Sequence, residues 1–143
     1  MNIQEFLARK SIAFDVMPHR ETYDAQHMAH EVHVSGHQVA KTVLLRVGEP
    51  RDYVVAVLPA SHNIDFQKAR ERFNTEVVVL ATEVEMSQRC PDCEMGALPP
   101  FGSLYEMKTA VDSKLASEEN IVFEGALHTE SIRMKYADFA SLE

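Results

Sequence analysis

The chain is predicted to be an α/β domain, and three observations carry that expectation. Val39–Val47, Tyr53–Leu58 and Val77–Ala81 are runs that are apolar on both faces, as strands in the covered centre of a sheet are. Apolar residues at helical spacing sit between and around them, as in Phe66, Ala69 and Phe73. Nothing in the sequence resembles a linker, an internal repeat or a low-complexity tract. Residues 1–143 are therefore expected to form a single domain around one mixed sheet.

Each element has its own signal. Asn2 and Glu5 resemble a capping box, and Ile3, Phe6 and Leu7 give the short helix that follows an apolar face. Ile12, Phe14 and Val16 alternate with Ala13, Asp15 and Met17, which predicts a strand. A helical pattern runs from about Ala25 to His33, with Gly36 as its stop. After the first two apolar strands, Asn63 is the expected cap of the helix carrying Phe66, Ala69 and Phe73. Thr82 with Glu85 forms a second capping box and opens another short helix. Cys90 to Gly102 holds three prolines and two glycines, so it is expected to be a loop. Short strands near Ile121–Glu124 and Ser131–Met134 precede a closing helix from Tyr136 to Leu142.

Composition narrows the function. The N-terminus has no signal-peptide run, and no stretch approaches the ~20 apolar residues of a membrane span, so no membrane partner is expected. Two cysteines do not make a disulfide framework, which favours a cytoplasmic address. A net charge of −8 argues against a broad nucleic-acid surface, and so against DNA, because non-specific binding rests on phosphate neutralisation. It leaves room for a protein that touches only the end of an RNA.

The first candidate for chemistry is Lys41. With a period of two it shares a face with Val39, Val43 and Leu45. A lysine in such company either snorkels at the rim of the sheet or meets an anionic ligand. The second is Gly96-Ala97-Leu98-Pro99-Pro100-Phe101-Gly102, where glycine permits unusual φ and the prolines stiffen the exit. A rigid loop with exposed N–H groups can hold a carbonyl oxygen, although an isolated pattern of this kind is more often a plain turn. His128, at a strand end beside Gly125, could position water or a substrate hydroxyl. Its neighbour Leu127 bears on pocket size.

Two further patterns tempt a metal assignment. His27, His30, His33 and His37 are spaced along a helical stretch, but a zinc site needs more ligands in definite geometry. Cys90-Pro91-Asp92-Cys93 is a lone C-x-x-C, without the second pair of a zinc ribbon or the helix start of a redox site. No cofactor is expected, and no Walker loop, dinucleotide fingerprint or serine-hydrolase elbow is present.

Taken together, His19-Arg20-Glu21-Thr22, Val39-Ala40-Lys41-Thr42-Val43, Val55-Ala56-Val57-Leu58-Pro59-Ala60, Ile64-Asp65, Asp92 to Gly102 and Gly125-Ala126-Leu127-His128 resemble the YbaK/ProX family. These are editing domains that hydrolyse mischarged aminoacyl-tRNA, either free-standing or inserted in bacterial prolyl-tRNA synthetases. The resemblance implies a YbaK-like fold with a central, mixed, partly barrel-like sheet and surrounding helices. It implies that Lys41 is the family's essential lysine and that Gly96 to Pro100 is the loop that orients the aminoacyl ester. His128 matches a histidine present in part of the family. Catalysis would then fall to Lys41, Gly96 and His128, with Thr42, Ala97, Leu98, Pro99, Pro100, Phe101 and Gly102 binding substrate. The implied partners are the acceptor end of a tRNA and an aminoacyl-tRNA synthetase.

An activated ester needs orientation and oxyanion stabilisation more than a protein nucleophile, so the absence of an obvious base is no obstacle. The loop offers only small or apolar side chains, which predicts small aminoacyl groups such as alanyl, cysteinyl or seryl. Two other readings stand beside this deacylase. One is a non-catalytic module for a synthetase or an aminoacyl-adenosine-like ligand; the other is a zinc protein using the His27–His37 cluster with Cys90 and Cys93.

Overall fold

The computed structural model describes residues 3–20, 37–48, 52–93 and 97–143. The helix expected at 25–33, its Gly36 stop and the Asn2 cap lie outside them. In chain order the elements are α1 (Ile3–Arg9), β1 (Asp15–Pro18), β2 (Ala40–Val47), β3 (Asp52–Pro59), α2 (Phe66–Phe73), β4 (Val78–Leu80) and α3 (Glu83–Arg89). A 3-10 turn at Gly102–Tyr105 leads to β5 (Lys108–Val111). A second 3-10 turn at Ser113–Ser117 precedes β6 (Asn120–Glu124), β7 (Glu130–Lys135) and α4 (Tyr136–Leu142).

The mixed α/β class holds, with the strands divided between two sheets. One is antiparallel in the order β1-β7-β6; the other is mixed, in the order β4-β2-β3-β5. A parallel bridge between Val39 and Val122 joins them. Among the described residues neither sheet closes, which corrects the partly barrel-like expectation. The long apolar strands β2 and β3 form the centre of the mixed sheet, in register from Ala40 opposite Pro59 to Val47 opposite Asp52.

Both faces of this pair are covered, and the period of two sorts them. Ala40 and Leu44 of β2, with Tyr53, Val55 and Val57 of β3, belong to the principal core. That core also takes Ile3 and Leu7 from α1, Ile121 and Phe123 from β6, Ile132 and Met134 from β7, and Phe139 from α4. On the other face Leu45, Val47, Val54, Ala56 and Val78 form a smaller cluster, covered by Phe66, Ala69 and Phe73 of α2. Asp65 caps α2, its carboxylate accepting from Lys68 N, in place of the expected Asn63. Both residues suit the role; the chain takes the one a step closer to the first apolar turn.

β5 is an element the sequence pattern did not predict; it pairs parallel to β3 at the sheet edge. β1 starts later than the alternation suggests. Ile12 and Phe14 pack on the core, but Val16 is exposed and Met17 half-buried, so the inward phase slips by one residue at the strand start.

The capping box of α3 is present as predicted. Thr82 Oγ1 accepts from Glu85 N at 3.1 Å, and Glu85 Oε1 accepts from Thr82 N at 3.0 Å. The Glu85 carboxylate also accepts from the Tyr53 hydroxyl, and Arg46 Nη1 lies 4.0 Å away. The Tyr53 bond first, then the Thr82 amide, holds the Glu85 carboxyl down at about 2. A depressed carboxyl stabilises the fold above its ordinary pKa of 4.5 and loses that contribution as the pH falls toward 2. Tyr53→Phe should therefore lower the urea midpoint at pH 7, and the gap from the parent should narrow between pH 5 and pH 2. A gap that stays constant over that range would show that the Tyr53–Glu85 bond does not set the carboxyl.

Candidate functional site

Lys41 is the second residue of β2, opposite Leu58, on the face that α2 covers. It is half-buried, and its Nζ donates to the His62 carbonyl at 2.6 Å. Loss of hydration lowers its pKa from the usual lysine value. The side chain is thus tethered rather than roaming in solvent. Beyond it, Ser61 Oγ lies 3.0 Å from both His37 Nδ1 and His62 Nδ1, and the two rings are 5.9 Å apart. His27, His30 and His33 lie outside the described residues, so His37 is the one member of that run with a defined setting.

The loop after Cys93 is anchored from one side. Gly96 lies outside the described residues. Ala97, Leu98, Pro99, Pro100, Phe101 and Gly102 are all buried, and Leu98 and Phe101 belong to the principal core with Ala40 and Leu44. Thr42 is half-buried between those two on the same side of β2. Lys41 and the loop therefore share a strand without sharing a face.

Gly102 is required by close approach. A Cβ there would meet the Met107 carbonyl oxygen and Thr109 Oγ1 at 2.6 Å each, and its N–H already donates to Thr109 Oγ1 at 2.8 Å. Thr109 in turn donates to Glu143, which also accepts from the Ser103 amide and hydroxyl. Pro99 and Pro100 have no N–H. Of the described loop, the amides of Ala97, Leu98 and Phe101 remain as backbone donors.

His128 lies in the β6–β7 turn and is buried, with Nδ1 3.1 Å from Glu124 Oε2. Glu124 is itself buried and directly opposite the fully buried Ser131. Ser131 Oγ is 2.7 Å from His19 Nε2, and His19 Nδ1 is 2.6 Å from the Arg20 carbonyl. Glu124, Ser131 and His19 were not singled out as site residues from sequence. The usable signal was an acid and a histidine four apart across a glycine, easily taken for a solvated strand end. Leu127, expected beside the pocket, is 38% exposed.

Cys90 and Cys93 form a disulfide across one tight turn, with Cα atoms 5.6 Å apart. Only with that disulfide reduced would the two thiols and Asp92 make a three-ligand group, and Tyr105 Oη lies 3.2 Å from Cys93 Sγ. Burial, then the charge of Asp92, raises the Tyr105 hydroxyl to about 12. Among the described residues no helix is long and apolar enough to cross a membrane.

No curated protein matches the sequence. Several solved structures share the fold at low identity. One is a provisionally assigned trans-editing enzyme for prolyl-tRNA synthetase, 19% identical, with a TM-score of 0.85 over 98% of this chain and 88% of that one. Another is a scaffold used for computational epitope grafting, 16% identical, with a TM-score of 0.84 over 97% and 87%. A third is a provisionally assigned signal transduction protein from Marinobacter aquaeolei VT8, 17% identical, with a TM-score of 0.72 over 98% of this chain and 28% of that one. A sequence model of the aminoacyl-tRNA editing domain matches residues 19–142, and the chain accordingly belongs to the aminoacyl-tRNA editing domain family.

Proposed function

We propose that this protein is a single-domain, trans-editing hydrolase of the cytoplasm that deacylates tRNA mischarged with a small amino acid. The observation that carries the reading is the Lys41 ammonium, half-buried at the start of a rigid strand and steered by the His62 carbonyl, in a protein of net charge −8. One fixed cation suits a ligand with one phosphate to anchor, such as the terminal adenosine of a tRNA, and needs no basic groove. Because Lys41 sits at the strand end, a ligand crossing that end reaches both faces of β2.

Water attacks the ester carbonyl, the carbonyl carbon–ribose oxygen bond breaks, and the products are a free amino acid and a tRNA with its ribose hydroxyl restored. The Ala97 and Leu98 amides, with the preceding loop residues, would polarise the carbonyl oxygen. The neighbouring ribose hydroxyl would orient the water, and His128 would take a proton from it and pass it to the departing ribose oxygen. A structural match to a trans-editing enzyme supports a synthetase as the source of tRNA selectivity.

The pocket should sort by size, since nothing in Ala97-Leu98-Pro99-Pro100 offers a charge. A methylene is worth only about 1–3 kcal/mol in such a pocket, so alanyl, cysteinyl and seryl esters should differ by no more than ~200-fold. Leucyl and phenylalanyl esters should be nearly inert. First-order deacylation rates for these five esters on one tRNA body test the reading. Fast turnover of the bulky esters would remove the size filter. Binding of the acceptor end without turnover of any ester would make the protein a recognition module instead.

A further inference from the structure

We propose that Cys90 and Cys93 are a reversible thiol–disulfide pair that fixes the entry of the Ala97–Gly102 loop, with Cys93 the sulfur that exchanges with solution and Cys90 the sulfur that resolves. Its effect on hydrolysis rests on the deacylase reading; the exchange chemistry does not.

The two sulfurs differ in access. Cys90 closes the C-terminal end of α3, where its N–H donates to the Met86 carbonyl, and it is 2% exposed within the principal core. Cys93 is half-buried and packs against that core, and Pro91 and Asp92 between the two are exposed. A small thiol or disulfide therefore reaches the turn from the Cys93 side. A redox pair at a helix start holds a stabilised thiolate and passes its disulfide on. This pair sits at a helix end beside Asp92, where a thiolate gains no such support, so it suits keeping a disulfide rather than oxidising other proteins.

Both ends of the loop meet at this pair. Cys93 stands four residues ahead of Ala97, and Tyr105 ends the 3-10 turn that begins at Gly102. Tyr105 Oη lies 3.2 Å from Cys93 Sγ, and a disulfide sulfur has no proton, so the hydroxyl donates. With its pKa raised to about 12, that hydroxyl keeps its proton at any working pH. It can hold the Cys93 sulfur in both redox states, whereas the covalent tie to Cys90 exists in one. With the bond made, Cys93 is fastened to a core side chain; with it broken, the burial of Ala97 to Gly102 is what anchors the loop. In the cytoplasmic setting proposed above, a disulfide is transient and serves catalysis or sensing.

The chemistry needs a partner of one class, a low-molecular-weight disulfide. The Cys93 thiolate attacks one of its sulfurs and expels a thiolate, leaving a mixed disulfide on Cys93. The Cys90 thiolate then attacks Cys93 Sγ and expels the second. Two protein thiols give up two protons and two electrons, and one external disulfide becomes two thiols; excess thiol runs both steps backwards.

Mixtures of reduced and oxidised glutathione, quenched by alkylation and read by mass, test the exchange, and with two cysteines in the chain the count is unambiguous. The parent should pass from two thiols to none with little adduct. Cys90→Ala should accumulate a glutathione adduct on Cys93, whereas Cys93→Ser should take up glutathione at Cys90 at least about tenfold more slowly. In single turnover, the reduced parent should deacylate at least about threefold more slowly than the oxidised one. Cys93→Ser should run at the reduced rate with or without dithiothreitol. A parent that never closes the disulfide, or a Cys93→Ser variant that captures glutathione as fast as Cys90→Ala, would overturn the pair's chemistry. Reduced protein that holds one zinc on its two thiolates and resists oxidation until chelator is added would make the pair a metal site instead. Equal deacylation rates in the two states would break the link to the loop. Should Cys90→Ala fail to fold, the parent titration and Cys93→Ser still decide. If the parent hydrolysed no ester in either state, the deacylase reading would fall while the glutathione titration would still decide the pair.

Discussion

Lys41→Ala should cut deacylation at least about a hundredfold, the scale on which loss of one charge-stabilising donor is felt. It should barely touch the fold. The variant loses the bond to the His62 carbonyl, about 1 kcal/mol, and regains the cost of keeping an ammonium half-dry. The two nearly cancel, so the thermal midpoint should stay within about 4 °C of the parent. Single-turnover deacylation beside a thermal melt separates the outcomes. A variant that melts far earlier yet hydrolyses ester at the parental rate would make Lys41 a structural lysine.

Phe101→Ala should have the largest effect on stability. The ring is fully buried and meets Phe6, Phe123 and Phe139 edge-on at centroid distances of 5.6, 5.6 and 5.3 Å. Those three rings come from α1, β6 and α4, so a single side chain closes the principal core across three elements. Truncating a buried Phe costs about 3–5 kcal/mol, and the edge-on pairs add to plain area burial. Against a total of about 5–15 kcal/mol, the thermal midpoint should fall on the order of 10 °C. Phe101→Leu should recover part of it. A fall below about 3 °C would mean that the proline loop is not pinned by this ring.

Elements whose burial is written locally were the legible ones. β2 and β3 declare themselves because eight consecutive residues must satisfy two cores, and the faces assigned to Lys41, Val43 and Leu45 against Ala40, Thr42 and Leu44 are those observed. The capping box at Thr82 is equally local. β5 was illegible because Lys108-Thr109-Ala110-Val111 has little apolar pattern of its own and is a strand through its parallel pairing with β3. The candidate site divides in the same way. Lys41 shows in sequence as a charge out of keeping with its strand; the Glu124–His128–Ser131–His19 group does not, because it depends on a turn and on strands brought together from distant parts of the chain.

The pairing of β1 with β7 carries a consequence for how the molecule is made. Asp15 lies opposite Arg133, a sequence separation of 118 residues. During synthesis β1 leaves the ribosome well before β7, the strand it pairs with, and waits for it. Bringing together such distant segments is the slow kind of step in folding. The antiparallel β2–β3 pair, by contrast, has both of its strands within twenty residues of Ala40 and can form early. β1 is thus made before β2 and β3 but lodged after them, and the His19–Ser131 contact is assembled only when β1 docks on β7.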